Sequence, residues 1–155
     1  MDKLGERIAF ERTGTRLYEA LVSKHEGFGS FEGGPSREEL VEILEEEHRH
    51  FSMRTETMHG LGGDPTAMTP SADRAAVVAS GVQKVVTDPR TTLLESLEAI
   101  LVAELADADG WHALRALAES AREDDLVRRC AEAEAREAEH LEKVRRWVTA
   151  GAERG

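Results

Sequence analysis

Two short stretches of this chain pair a carboxylate with an imidazole three positions on. Glu47-His48-Arg49-His50 and Glu137-Ala138-Glu139-His140 each read Glu-x-x-His. At that interval on a helix the two side chains leave the same face, close enough to hold one cation between them. One such motif says little in a chain with 33% charged residues. Their positions say more. In the second half of the chain the apolar stripe runs Leu126, Cys130, Ala133, Glu137, His140, Val144, Trp147, so acid and imidazole stand where core residues belong. Buried charge is costly unless it is paired or metal-bound. In the first half, Leu40, Leu44, Glu47, Phe51 and Met58 form the stripe, with His50 beside it. The alternative pair Glu45 and His48 falls on a face with less apolar company, and His48 enters only if the register is shifted.

Two further acids interrupt apolar stripes. Glu11 falls in the series Leu4, Ile8, Glu11, Thr15, Tyr18, Val22, and Glu104 in Leu97, Ile100, Leu101, Glu104, Asp107, Trp111, Leu114. Counted from the helix ends at roughly 1.5 Å per residue, the four acids reach a common level. Two divalent iron or manganese ions side by side need bridging carboxylates to screen their repulsion, terminal carboxylates for charge balance and imidazoles that leave positions open. Four Glu and two His provide this set. Glu47 and Glu137, beside their own histidines, are the expected bridges; Glu11 and Glu104 are the expected terminal ligands.

The elements that carry these residues are helices, because apolar positions recur at intervals of three and four throughout. The first is expected over about Asp2 to His25, followed by the glycine-rich segment 27–35. Ser36 with Glu39 makes a capping box for a second helix that ends near Gly60. Thr69-Pro70 reads as an N-cap and N1 proline of a short helix inside the long connection 61–90. Two more long helices are expected over about Thr91 to Glu119 and Glu123 to Ala150. The short link around Arg122 makes them antiparallel neighbours, whereas the long connection lets the second and third long helices run parallel. The expectation is therefore one all-α domain over 1–155, an antiparallel four-helix bundle with a crossover helix.

Thirty-one acidic against twenty basic residues, a formal charge of −11, argue against nucleic acid or an anionic membrane as partner. No stretch is apolar enough to span a membrane or to serve as a signal peptide. The lone Cys130 suits a reducing compartment. A cytoplasmic protein is expected.

One Glu from each of two helices plus Glu-x-x-His from each of the other two is the ligand pattern of ferritin-like di-iron and di-manganese carboxylate bundles. The chain resembles that family over nearly its whole length, bacterioferritins and rubrerythrins above all. Like ferritins it carries a tyrosine seven residues after the helix-one glutamate, Tyr18; like rubrerythrins it has an acid three residues after Glu104, although Asp107 is shorter than their Glu. The resemblance implies two iron ions, with manganese as the alternative, and activation of O2 or hydrogen peroxide in a peroxidase- or ferroxidase-like reaction. A manganese catalase-like enzyme and a non-catalytic metal-binding bundle are the other readings. Tyr18 becomes a candidate catalytic group and Asp107 a candidate further ligand or a support for a ligand histidine. The departures matter as well. Without a Cys-x-x-Cys pair, electrons must come from a separate donor protein. His48 stands where bacterioferritins have their haem-binding methionine, so no haem is expected. Only fifteen residues follow His140, which disfavours the short fifth helix of cage-forming ferritins. With Phe10, Leu17 and Leu21 among the apolar residues left over outside the central stripe, a homodimer is expected.

Overall fold

The computed structural model describes residues 1–153. They form five helices and, among the described residues, no strand: α1 Asp2–Phe28, α2 Arg37–Gly60, α3 Pro70–Thr87, α4 Leu93–Ala121 and α5 Asp124–Ala152. Among the described residues no helix is long and apolar enough to cross a membrane.

Local chemistry sets the helix ends. Ser36 Oγ accepts from Glu39 N while the Glu39 carboxylate accepts from Ser36 N, the reciprocal cap expected at α2. Thr92 and Glu95 repeat it at α4. Thr69 caps α3, and Pro70 follows where a missing N–H costs nothing. Arg122, at φ 59, is the left-handed residue that ends α4. α1 continues through Phe28, three residues beyond the expected His25, before Gly29 breaks it at φ 76.

Contacts between helices give their directions. From Gly5 opposite Met58 through Gly14 opposite Glu47, α1 and α2 run antiparallel. Trp111 bonded to Glu137 and Arg115 to Glu134 set α4 against α5 likewise. The α2 and α5 pairing follows from Glu46 with His140 and Glu42 with Lys143. α3 lies along α1 in the same direction, tied by Ser71 to Asp2 and Arg74 to Glu6 at one end. At the other end the buried Lys24 ammonium of α1 donates to the carbonyls of Asp88 and Thr91.

α3 changes one expectation. It packs on α1 and α4, and Phe10, Leu17 and Leu21 are buried, Leu17 and Leu21 in full. They are not spare surface for a dimer, because the chain covers them with its own connection. The apolar side chains that remain exposed include Val77 and Val78 of α3 and Val102 and Leu105 of α4.

The interior is divided. One apolar cluster gathers Leu17, Leu21, Leu40, Ile43, Leu97, Ile100, Val144 and Trp147; a second gathers Leu4, Ile8, Met58, Trp111, Leu114, Cys130 and Ala133. Between them, where α1, α2, α4 and α5 meet, lies a layer of buried charge.

Candidate metal centre

Glu11, Glu47, Glu104, Asp107, Glu137 and His140 are all buried in that layer. Each comes from the stripe its helix turns inward, so the apolar neighbours one turn away hold it in the interior. Three groups of side chains have ligating atoms within 4.8 Å of one another: Glu47, His50 and Glu137; Glu104, Glu137 and His140; Glu11, Asp107 and Glu137. Glu137 belongs to all three. The hub is thus one carboxylate of α5, where the sequence suggested two equivalent bridges.

The imidazoles face it. His50 Nδ1 lies 2.7 Å from Glu137 Oε1. His140 Nδ1 lies 3.4 Å from both Glu47 Oε1 and Glu137 Oε2. Neither nitrogen is aligned for a hydrogen bond, and Glu104 Oε2, Glu11 Oε2 and Asp107 Oδ2 are also buried without one. Unsatisfied buried polar atoms are rare in folded proteins and call for an explanation such as an ion. His140 Nε2, by contrast, is bonded at 2.6 Å to Glu46. Facing a carboxylate, Nε2 donates, and Nδ1 is the nitrogen turned toward Glu47 and Glu137. Trp111 Nε1 donates to Glu137 Oε1 at 3.2 Å, and its ring meets His50 edge-on with centroids 5.3 Å apart.

Tyr18, the candidate catalytic group, donates its hydroxyl to Glu104 Oε1. Asp107, a candidate ligand or support for a ligand histidine, has arginines as its charged partners. It is held by Arg7 of α1, and Arg54 approaches to 3.8 Å. Arg54 itself pairs with Glu11, and both side chains are fully buried. His48 is exposed, 3.8 Å from Glu19, and Glu45 is exposed too.

Electrostatics follow from burial and like charge. Burial, then the charge of Glu137, pushes Glu47 up to about 7. Burial, then Glu47 and Glu137, holds Glu104 well above the carboxylate range. Asp107 is raised, by burial first and Glu137 second, against the pull of Arg54 and Arg7. Glu137 goes the other way: burial opposes its charge, but His140 and His50 outweigh it and hold it below the usual range. Burial would lower both imidazoles, yet Glu137 and Glu47 push His140 up to about 11, and Glu137 raises His50. Burial brings Arg54 down to about 9, leaving it a cation at neutral pH. The layer therefore stores protons on groups that would surrender them to a metal ion.

Sequence reasoning missed Glu46, Arg7 and Gly14. Gly14 of α1 stands where an added Cβ would come to 3.0 Å from Glu47 Oε2, so its missing side chain gives that carboxylate room. Gly110 of α4 does the same for the Arg7 guanidinium. A small residue opposite a buried acid is the one signal that could have pointed to Gly14. Arg7 and Arg54 carry no such mark, since an arginine in a helix is normally solvated surface.

Comparison with protein-family models, with curated proteins and with solved structures gives no match, so the reading of this centre rests on its residues and their geometry.

Proposed function

We propose that the chain is a ferritin-like four-helix bundle of α1, α2, α4 and α5, with α3 on the crossover, and that it carries a dinuclear, iron-loaded centre. In this reading the protein is an oxidoreductase that reduces hydrogen peroxide or activates O2. The observation that carries it is the buried layer itself: Nδ1 of His50 and of His140 and oxygens of Glu47, Glu104 and Glu137 converge within a few ångströms, unaligned for hydrogen bonds with one another. Five buried acids, Glu11, Glu47, Glu104, Asp107 and Glu137, face only two buried guanidiniums there, those of Arg7 and Arg54. Such an excess of carboxylate calls for protons or dications.

Glu104, Glu137 and His140 would hold one ion and Glu47, His50 and Glu137 the other, with Glu11 completing the set. Bound iron would supply the electrons that O–O bond reduction needs. The chain's own groups do the rest. Glu46 keeps the His140 proton on Nε2, Tyr18 donates to Glu104, and the apolar clusters on either side keep bulk water out. Small reactants can approach along a groove between α2 and α5 lined by Arg49, His50, Met53, Ala133 and Arg136. His50, 12% exposed, forms its floor. Electrons come from a separate donor protein, the protein works in the cytoplasm, and a homodimer forms through the exposed valines of α3 and α4.

Turnover decides the reading. Iron-loaded protein should consume hydrogen peroxide with a reductant present, and Glu137→Ala should abolish this. Iron-loaded protein inert toward both peroxide and O2 would favour a non-catalytic metal-binding bundle, and metal analysis of protein purified without added metal separates iron from manganese.

A further inference from the structure

The two halves of the centre are built differently. Around Glu104, Glu137 and His140 the supports are in place: Tyr18 donates to Glu104, and Glu46 accepts from His140 Nε2. On the opposite side Glu11 is already taken by the Arg54 guanidinium. Arg54 is 0% exposed, its guanidinium carbon lies 3.4 Å from the Trp111 ring centroid, and Asp107 lies 3.8 Å away. Packed in this way it cannot swing out to solvent.

Resting on the dinuclear reading above, we propose that the two metal positions fill in order and with unequal affinity, and that Arg54 sets the affinity of the second. The first ion enters at Glu104, Glu137 and His140. The second, served by Glu47, His50 and Glu137 with Glu11 completing the set, binds only as Arg54 gives up Glu11. A guanidinium that stays charged at neutral pH competes through its fork directly for a carboxylate, and in a low-dielectric interior it repels a neighbouring dication strongly. Charge counting agrees. With imidazoles neutral, one dication leaves the five buried acids and two arginines with one surplus negative charge, and a second dication turns that into one surplus positive charge. Removing the Arg54 charge makes the doubly loaded layer neutral. The centre thus keeps one divalent ion tightly and exchanges the other.

Anaerobic calorimetric titration with manganese(II) alone tests this on the metal-free full chain, on Arg54→Gln and on Glu11→Gln, with circular dichroism to establish folding. Wild type should show two steps, the second at least tenfold weaker. Arg54→Gln should bring the steps within about threefold, and Glu11→Gln should lose the weaker step alone. Two equal steps in wild type, or a gap unchanged in folded Arg54→Gln, would overturn the proposal. Loss of both steps in Glu11→Gln would also overturn it, and that variant carries the test if Arg54→Gln does not fold. No binding by wild type would instead sink the metal reading itself.

Discussion

Glu46 of α2 and His140 of α5, 94 positions apart, are joined at 2.6 Å through Nε2 of the imidazole. The contact fixes which nitrogen faces the other carboxylates. Partners of this kind, which orient a metal-binding imidazole, typically account for 10–100-fold in metal affinity. Glu46→Gln is therefore expected to weaken manganese(II) binding by roughly that factor with the helical content unchanged. An affinity equal to that of wild type would show that His140 is oriented by packing alone.

The pH dependence of the metal-free protein has a definite sign. Glu47, raised to about 7, and Glu104, held well above the carboxylate range, keep protons in the folded state that the unfolded chain releases near its ordinary carboxylate value of 4.5. They lower stability increasingly as pH rises from there through about 7. His140, raised to about 11, and His50 stabilise fully below their unfolded value of 6.5, and that contribution is lost as pH rises toward their folded values. Glu137 acts oppositely, but only in acid: its contribution is present above its unfolded value of 4.5 and is lost as pH falls below it. Urea midpoints of the metal-free protein should accordingly fall between pH 5 and pH 8. Midpoints that rise over this range would contradict the buried assignment.

Arg7 and Asp107 form a buried pair across α1 and α4. Removing one partner of such a pair typically costs about 3–5 kcal/mol, whereas replacing both with apolar groups is often neutral. Arg7→Met should destabilise by about that amount, and the double variant Arg7→Met, Asp107→Leu should recover most of the loss. A double-mutant cycle by denaturant unfolding measures the coupling; additive effects would mean that Asp107 relies on Arg54 instead.

Tyr18 is the one tyrosine of the chain, so its titration can be followed by ultraviolet absorbance without overlap from another phenol. Burial first, then the Glu104 charge, raises it well above 10. The folded protein should form no tyrosinate at pH 10.5, where the denatured chain is mostly ionised. Half-ionisation near pH 10 in folded protein would mean that the hydroxyl is solvated and not bonded to Glu104.

Much of this arrangement was legible in the sequence because it follows from helical period. Glu11, Glu104, Glu137 and His140 interrupt apolar stripes, and the caps at Ser36 and Thr69 are local signals between residues three apart. What was not legible depends on partners distant in the chain. Nothing local distinguishes Arg54, fully buried over Trp111, from exposed Arg49 five residues earlier. Leu40 and Ile43, not Leu44, are the fully buried aliphatics of α2 ahead of Glu47, on the face that carries Arg54 further along. The burial of Phe10, Leu17 and Leu21 likewise depended on where α3 would lie.

The most direct test is a count of metal. After anaerobic equilibrium dialysis against iron(II) or manganese(II), elemental analysis corrected for the free ion should find about two ions per wild-type chain, as four Glu and two His imply. A Glu104→Ala, Glu137→Ala variant should lose most of that capacity, because it removes the hub carboxylate and a terminal one together. Wild-type protein that retains no metal, or a folded variant that loads fully, would contradict a dinuclear centre at these residues.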